Sequence, residues 1–120
     1  MARIVSIGAA LQDVYLIDHD DFGTNPRGFF NQLELGTKVD IDKIQFSTGG
    51  GATNAATTFA RNGHESIFMG CIAQDTAGTA ILNALDDEGI DSSYVTYVPN
   101  SHTGYSVLLL APNGERTILT

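Results

Sequence analysis

The chain has 120 residues, 14 of them acidic and 6 basic, for a formal charge of −8. That is the length of one modest domain with room for a real core, and its charge offers no basic stripe to neutralise nucleic-acid phosphates, so no nucleic-acid partner is expected. A single cysteine, Cys71, forbids an internal disulfide, and the longest apolar run, Val107 to Ala111, falls far short of the roughly 20 residues that cross a bilayer. The opening "MARIVSIGAA" lacks the basic-then-apolar pattern of a leader, which points to a cytoplasmic protein without a membrane partner.

In chain order, "RIVSIG" (Arg3 to Gly8) predicts a buried strand that delivers the chain to a loop at its carboxyl end, the place where open α/β sheets bind ligands. From Val14 to Ser47 the pattern loosens into turn residues, with apolar positions alternating at Val39, Ile41 and Ile44, and edge strands and turns are expected. After the glycines of "STGGGATNAATTFA", the residues Ala52, Ala55, Ala56, Phe59 and Ala60 share one helical face, and Gly63 stands where a C-terminal cap belongs. "SIFMGCI" predicts a second buried strand. Asp75 can cap a second helix with Ala77, Ala80, Ile81, Ala84 and Leu85 on one face, ended by Gly89. Strand, helix, strand, helix implies parallel pairing and a layered α/β fold. "TYVPNSHTGYSVLLLAPNGERTILT" then predicts strands around an Asn113-Gly114 hairpin turn.

The glycine run Gly49 to Gly51 fails as a phosphate loop. No Gly-Lys-Ser/Thr follows it, and the first strand ends in "GAALQD" rather than the dinucleotide fingerprint. Free backbone N–H groups at a helix start remain, with Asn54 one turn in carrying both donor and acceptor, a mixture suited to hydroxyl groups. The same glycines fit a plain tight turn equally well. Asp13, five residues past Gly8, could accept hydrogen bonds from vicinal hydroxyls or be an ordinary loop acid. "DHDD" (Asp18 to Asp21) lacks calcium-loop spacing and reads as solvated loop, and His19, His64 and His102 show no zinc spacing. Cys71 is expected in the core, and Phe22 and Tyr105 as packing residues.

The run "GGGATNAATTFARNGHESIFMGCIAQDTAGTAILNALDDEGIDSSYV" resembles the first signature region of the ribokinase-like, or PfkB-type, carbohydrate kinases, which include adenosine kinases. A Gly-Gly pair, an asparagine four residues after its second glycine, and a G-x-x-G-x-D-x-x-G stretch follow in the family's order. Gly70, Asp75 and Gly78 match that stretch, and Ala73 replaces its middle glycine. "TGYSVLLLAPNGERTI" resembles the family's strand pair. The resemblance implies the front part of a ribokinase-like layered fold, a parallel sheet with flanking helices plus a small β lid. An incomplete substrate-binding portion would span residues 1–120, with lid segments at about 14–48 and 94–120 and a homodimer contact through the lid.

It further implies that Asp13 grips sugar hydroxyls, that Gly50, Gly51 and Asn54 form the sugar cradle, and that Ser106 touches the substrate from a lid strand. Some sugar kinases carry a lysine where this chain has Gly51. In the family, ATP and magnesium bind in a later portion with a Gly-Ala-Gly-Asp motif that supplies the catalytic base, and no such motif occurs here. The expected function is therefore the N-terminal portion of an ATP-dependent sugar or nucleoside kinase, lacking the ATP site and the base, with no catalytic residue and no metal ligand of its own. The alternatives are a non-catalytic sugar-binding or assembly module of the same fold, and an ordinary nucleotide-binding domain.

Overall fold

Arg3, Val5 and Ile7 alternate with Ile4 and Ser6 along β1 (Arg3–Ile7), and in the computed structural model, which describes residues 1–17, 33–111 and 113–120, this strand pairs in parallel with β4 (Glu65–Met69). Between them in sequence come β2 (Leu11–Ile17), β3 (Lys43–Gly49) and α1 (Gly51–Arg61). The acidic cluster Asp18–Asp21 with His19, and Phe22, lie outside the described residues. After β4 follow β5 (Cys71–Ile72), α2 (Thr76–Asp87), β6 (Thr96–Tyr97), β7 (Gly104–Leu110) and β8 (Arg116–Leu119).

The chain divides into two compact units, Met1–Gln12 with Thr48–Tyr105, and Asp13–Ser47 with Ser106–Thr120. In the first, the β1–β4 pair lies under α1. Ser66 Oγ donates to the Ala56 carbonyl at 2.8 Å, and strand alternation puts Ile4, Ser6 and Phe68 on the same face. Phe68, Ala56, Ile81 and Leu85 are all but fully buried there, so the core is filled by one aromatic ring, small α1 residues and branched α2 residues. Ser6 Oγ is buried without a hydrogen-bond partner among the described residues. The opposite face of β1 leaves Val5 and Ile7 exposed.

Both helices end as their glycines predict. Gly63 (φ 81°) donates to the Ala60 carbonyl and His64 N–H to that of Phe59; Gly89 (φ 69°) donates to Asp86 and Ile90 N–H to Leu85. Each is a left-handed residue closing a paired carbonyl motif that a Cβ would strain. Arg61, at the end of α1, donates from Nε to Glu88 Oε2 at 2.9 Å just past α2.

Several expectations need correction, the first being that of a buried β1, which is buried on one face only, with Val5 and Ile7 exposed. "SIFMGCI" is two strands, because the chain breaks at Gly70, where a Cβ would meet Phe68 Cζ at 2.5 Å and the Gly8 carbonyl oxygen at 2.6 Å. Val39 and Ile41 lie outside any strand, and of the predicted alternation only Ile44 falls on one, in β3, which runs from Lys43 into the glycines. Cys71 and Tyr105 are exposed rather than packed in a core. β5 pairs in parallel with β6, Cys71 opposite Thr96.

The second unit holds most of a four-stranded sheet in the order β3-β2-β7-β8. β7 and β8 form the expected antiparallel hairpin, with Leu110 opposite Arg116. Its turn uses Gly114 alone in the left-handed region (φ 86°), while Asn113 Oδ1 accepts from Glu115 N–H at 3.0 Å. The Asn-Gly pair thus serves a longer loop than the two-residue turn it suggests.

Candidate functional site

β1 hands the chain to Gly8, Ala9 and Ala10 before β2 begins, and Gly8 N–H donates to the Met69 carbonyl at 3.1 Å. Gly50 presses on this loop. A Cβ at Gly50 would lie 2.3 Å from the Ala9 carbonyl oxygen, and its φ of 105° is disfavoured for side-chain-bearing residues. Both facts demand glycine, which bears out the tight-turn reading and leaves it compatible with the cradle.

Gly50 is the N-cap of α1, and the start of this helix is left open. No side-chain cap hydrogen bond forms there among the described residues, and its first turn has no acidic residue. Gly51 is exposed, and a Cβ there would meet no atom within 4 Å. Asn54 is also exposed. Its backbone N–H donates to the Gly50 carbonyl at 3.0 Å, while its side-chain amide makes no hydrogen bond among the described residues. Beneath them Thr53, only 1% exposed, donates its hydroxyl to the Gly49 carbonyl at 2.6 Å and approaches that of Gly50 at 3.0 Å. On its other side the Gly8–Ala10 loop borders a recess of about 500 Å³ shared with Gly70, Cys71 and Thr96.

The start of α2 is closed by contrast. Asp75 Oδ1 accepts from Gly78 N–H at 2.8 Å and from Thr103 Oγ at 2.6 Å, and Oδ2 accepts from Thr103 N–H at 2.8 Å. These bonds, that of the Thr103 hydroxyl first, hold the Asp75 carboxyl below its ordinary value of 3.8. Thr103 Oγ in turn accepts from Ala73 N–H at 2.9 Å, and a Cβ on Gly78 would strike the Ala73 carbonyl at 2.3 Å. The stretch from Gly70 to Gly78, with Ala73 at its middle position, is thus a structural lock at this helix start.

Gly50, Gly51 and Asn54 therefore share one helix turn. Asp13 and Ser106 belong to the second unit, on strands β2 and β7, which are neighbours in its sheet. Asp13 lies within a strand rather than in the loop the sequence suggests. It is partly buried, which pushes its carboxyl above the ordinary value of 3.8, and it makes no hydrogen bond among the described residues. Ser106 is buried, with Oγ 3.4 Å from Thr120 Oγ1. Sequence reasoning missed Thr53 and Ala9. A threonine four residues after Gly49 was the available sign of the first; a backbone carbonyl leaves no sign in sequence.

The model of the pfkB family carbohydrate kinases matches residues 1–120. The chain belongs to this family. Bacillus subtilis ribokinase is 34% identical over 119 residues, which cover 99% of this chain and 36% of that protein. Haemophilus influenzae ribokinase is 33% identical over 84 residues, 70% of this chain and 28% of the relative. The structure of Arabidopsis thaliana ribokinase complexed with ribose and ATP matches with a TM-score of 0.80 at 28% identity, over 99% of this chain and 36% of that one. The ribokinase-like fold is thereby established, and this pfkB chain spans 36% or less of each of these relatives.

Proposed function

We propose that this chain is the acceptor-binding portion of an ATP-dependent sugar or nucleoside kinase, which transfers a phosphoryl group to a substrate hydroxyl. The observation that carries the reading is the open start of α1, where Gly50 is held against Ala9 and the Asn54 amide has no partner among the described residues. In this reading the Gly50 and Gly51 backbone and the Asn54 side chain hold acceptor hydroxyls, which both donate and accept. Asp13 accepts from vicinal hydroxyls, and Ser106 contacts the same acceptor. The Arabidopsis relative, solved with ribose and ATP, supports a sugar acceptor. Segments 14–48 and 94–120 furnish the β lid. Ile44 and Phe46, exposed on one side of β3, support a homodimer through it.

ATP with Mg²⁺ would supply the phosphoryl group. The residues of this chain do not fit that donor: neither a Gly-Lys-Ser/Thr nor a Gly-Ala-Gly-Asp stretch occurs, and among the described residues no cluster of metal-ligating side chains forms. The base and the phosphate-binding groups are assigned to sequence outside the chain, and Asp13 is not promoted to that task. No step of phosphoryl transfer is assigned to these 120 residues, which are expected to be inactive alone. The protein is placed in the cytoplasm, with neither nucleic acid nor membrane as partner.

Titrating D-ribose, D-fructose, adenosine and ATP separately into the chain tests this. A sugar or nucleoside that binds, and loses binding in Asp13→Ala, is expected. Tight ATP binding that survives Asp13→Ala would point to a nucleotide-binding domain instead. ADP release with any sugar by the 120-residue chain would refute the division of sites. A longer natural protein that binds sugar without turnover would favour the non-catalytic module.

A further inference from the structure

Thr53 has no role in the reading above, yet its position is unusual. The exposed Thr58 also donates to a carbonyl four residues back, at 2.9 Å, but that acceptor, Asn54, lies within the helix. Thr53 is buried, and its two acceptors, Gly49 and Gly50, precede the helix. The peptide bonds of the described residues are trans, so each carbonyl points opposite to the N–H that follows it. A hydroxyl that holds the Gly49 and Gly50 carbonyls inward therefore turns the Gly50 and Gly51 N–H groups outward. Glycine does not fix these planes by itself, because it lacks the Cβ that narrows φ and ψ elsewhere. The contact with Ala9 restrains Gly50 from one side only, and the Asn54 N–H, 3.0 Å from the Gly50 carbonyl, shares with Thr53 the hold on the plane that carries the Gly51 N–H.

We infer that Thr53 is a positioning residue of the acceptor cradle, and that its buried hydroxyl aims the Gly50 and Gly51 N–H groups at the hydroxyls of a sugar or nucleoside. The inference rests on the proposed acceptor site. Thr53 touches no acceptor itself. A serine keeps the hydroxyl, whereas a valine keeps the shape and removes it.

The test is ¹⁵N NMR titration of the chain with D-ribose, and then with adenosine, comparing the natural protein with Thr53→Ser and Thr53→Val. The Gly50 and Gly51 amide signals are expected to move on ligand addition in the natural protein and in Thr53→Ser, with Kd values within about threefold. In Thr53→Val the affinity is expected to fall at least tenfold, or about 1.4 kcal/mol, while the methyl signals of Ile81 and Leu85 stay in place. Unchanged affinity in Thr53→Val overturns the inference and leaves the acceptor site standing. Absence of any response in the natural protein overturns the acceptor site and the inference with it. Should Thr53→Val unfold, Thr53→Ala carries the same comparison, and a loss of binding that merely tracks the unfolded fraction counts against a positioning role.

Discussion

The two helix starts solve one physical problem in opposite ways. Every helix begins with N–H groups that lack intrahelical partners. At α2 the Asp75 carboxylate engages Gly78 and Thr103, so the start is used up in holding the fold together. At α1 no side chain among the described residues caps the first turn, and the constraint comes from below, through Thr53, and from behind, through Ala9. An open helix start is a cost to stability, and it leaves polar groups for a ligand.

The comparison can be broken most severely at Gly50. Gly50→Ala puts a methyl group into the Ala9 carbonyl in an unfavourable backbone region, and we expect a loss of about 3 kcal/mol or more in denaturant unfolding. Asp75→Ala comes next. It should lower Tm by several degrees while sugar affinity of the folded protein stays the same, a split that separates lock from cradle. The pH dependence has a definite sign. The Asp75 carboxyl is held below its ordinary value of 3.8, so its stabilisation is fully present above that value and is lost as pH falls through the folded one. Acid unfolding of Asp75→Asn should show a correspondingly flatter limb.

Asn54→Ala should do the reverse of Asp75→Ala. Its exposed side chain makes no hydrogen bond among the described residues, so Tm should hold, whereas acceptor binding weakens by about 1 kcal/mol for each hydrogen bond lost. Calorimetric titration checks this, and an unchanged Kd would mean that α1 is open for no ligand. The smallest effect is expected at Ser6, whose buried hydroxyl has no partner among the described residues. Ser6→Ala should leave stability within about 0.5 kcal/mol or raise it, since a group that was desolvated without compensation is removed.

The periodic elements were legible in sequence for physical reasons. Alanines at helical spacing, a capping aspartate and glycines after each helix act locally, and α1, α2 and their ends follow from them. Asn113-Gly114 likewise marked a hairpin, though not its loop length. Only the later part of β2 was legible, within the edge strands expected from Val14, because "LQD" follows β1 after three residues and resembles a loop continuing from Gly8. The break at Gly70 and the demand for glycine at position 50 depend on backbone atoms distant in sequence, Gly8 and Ala9. The glycines and Asn54 were recognisable as a candidate site. Thr53 was not, because its importance lies in which carbonyls it reaches.

Gly50 and Gly51 are adjacent, yet they have different futures under mutation. Gly50 is closed to change by a backbone oxygen, whereas a side chain at Gly51 would enter open space at the mouth of the cradle. A residue introduced there gains some helix propensity without disturbing the turn, and under the proposed function it would face the acceptor. If the proposed acceptor site holds, substrate preference can drift at one position while the architecture is inherited through its neighbour, and a library restricted to residue 51 is the economical way to put that proposal to work.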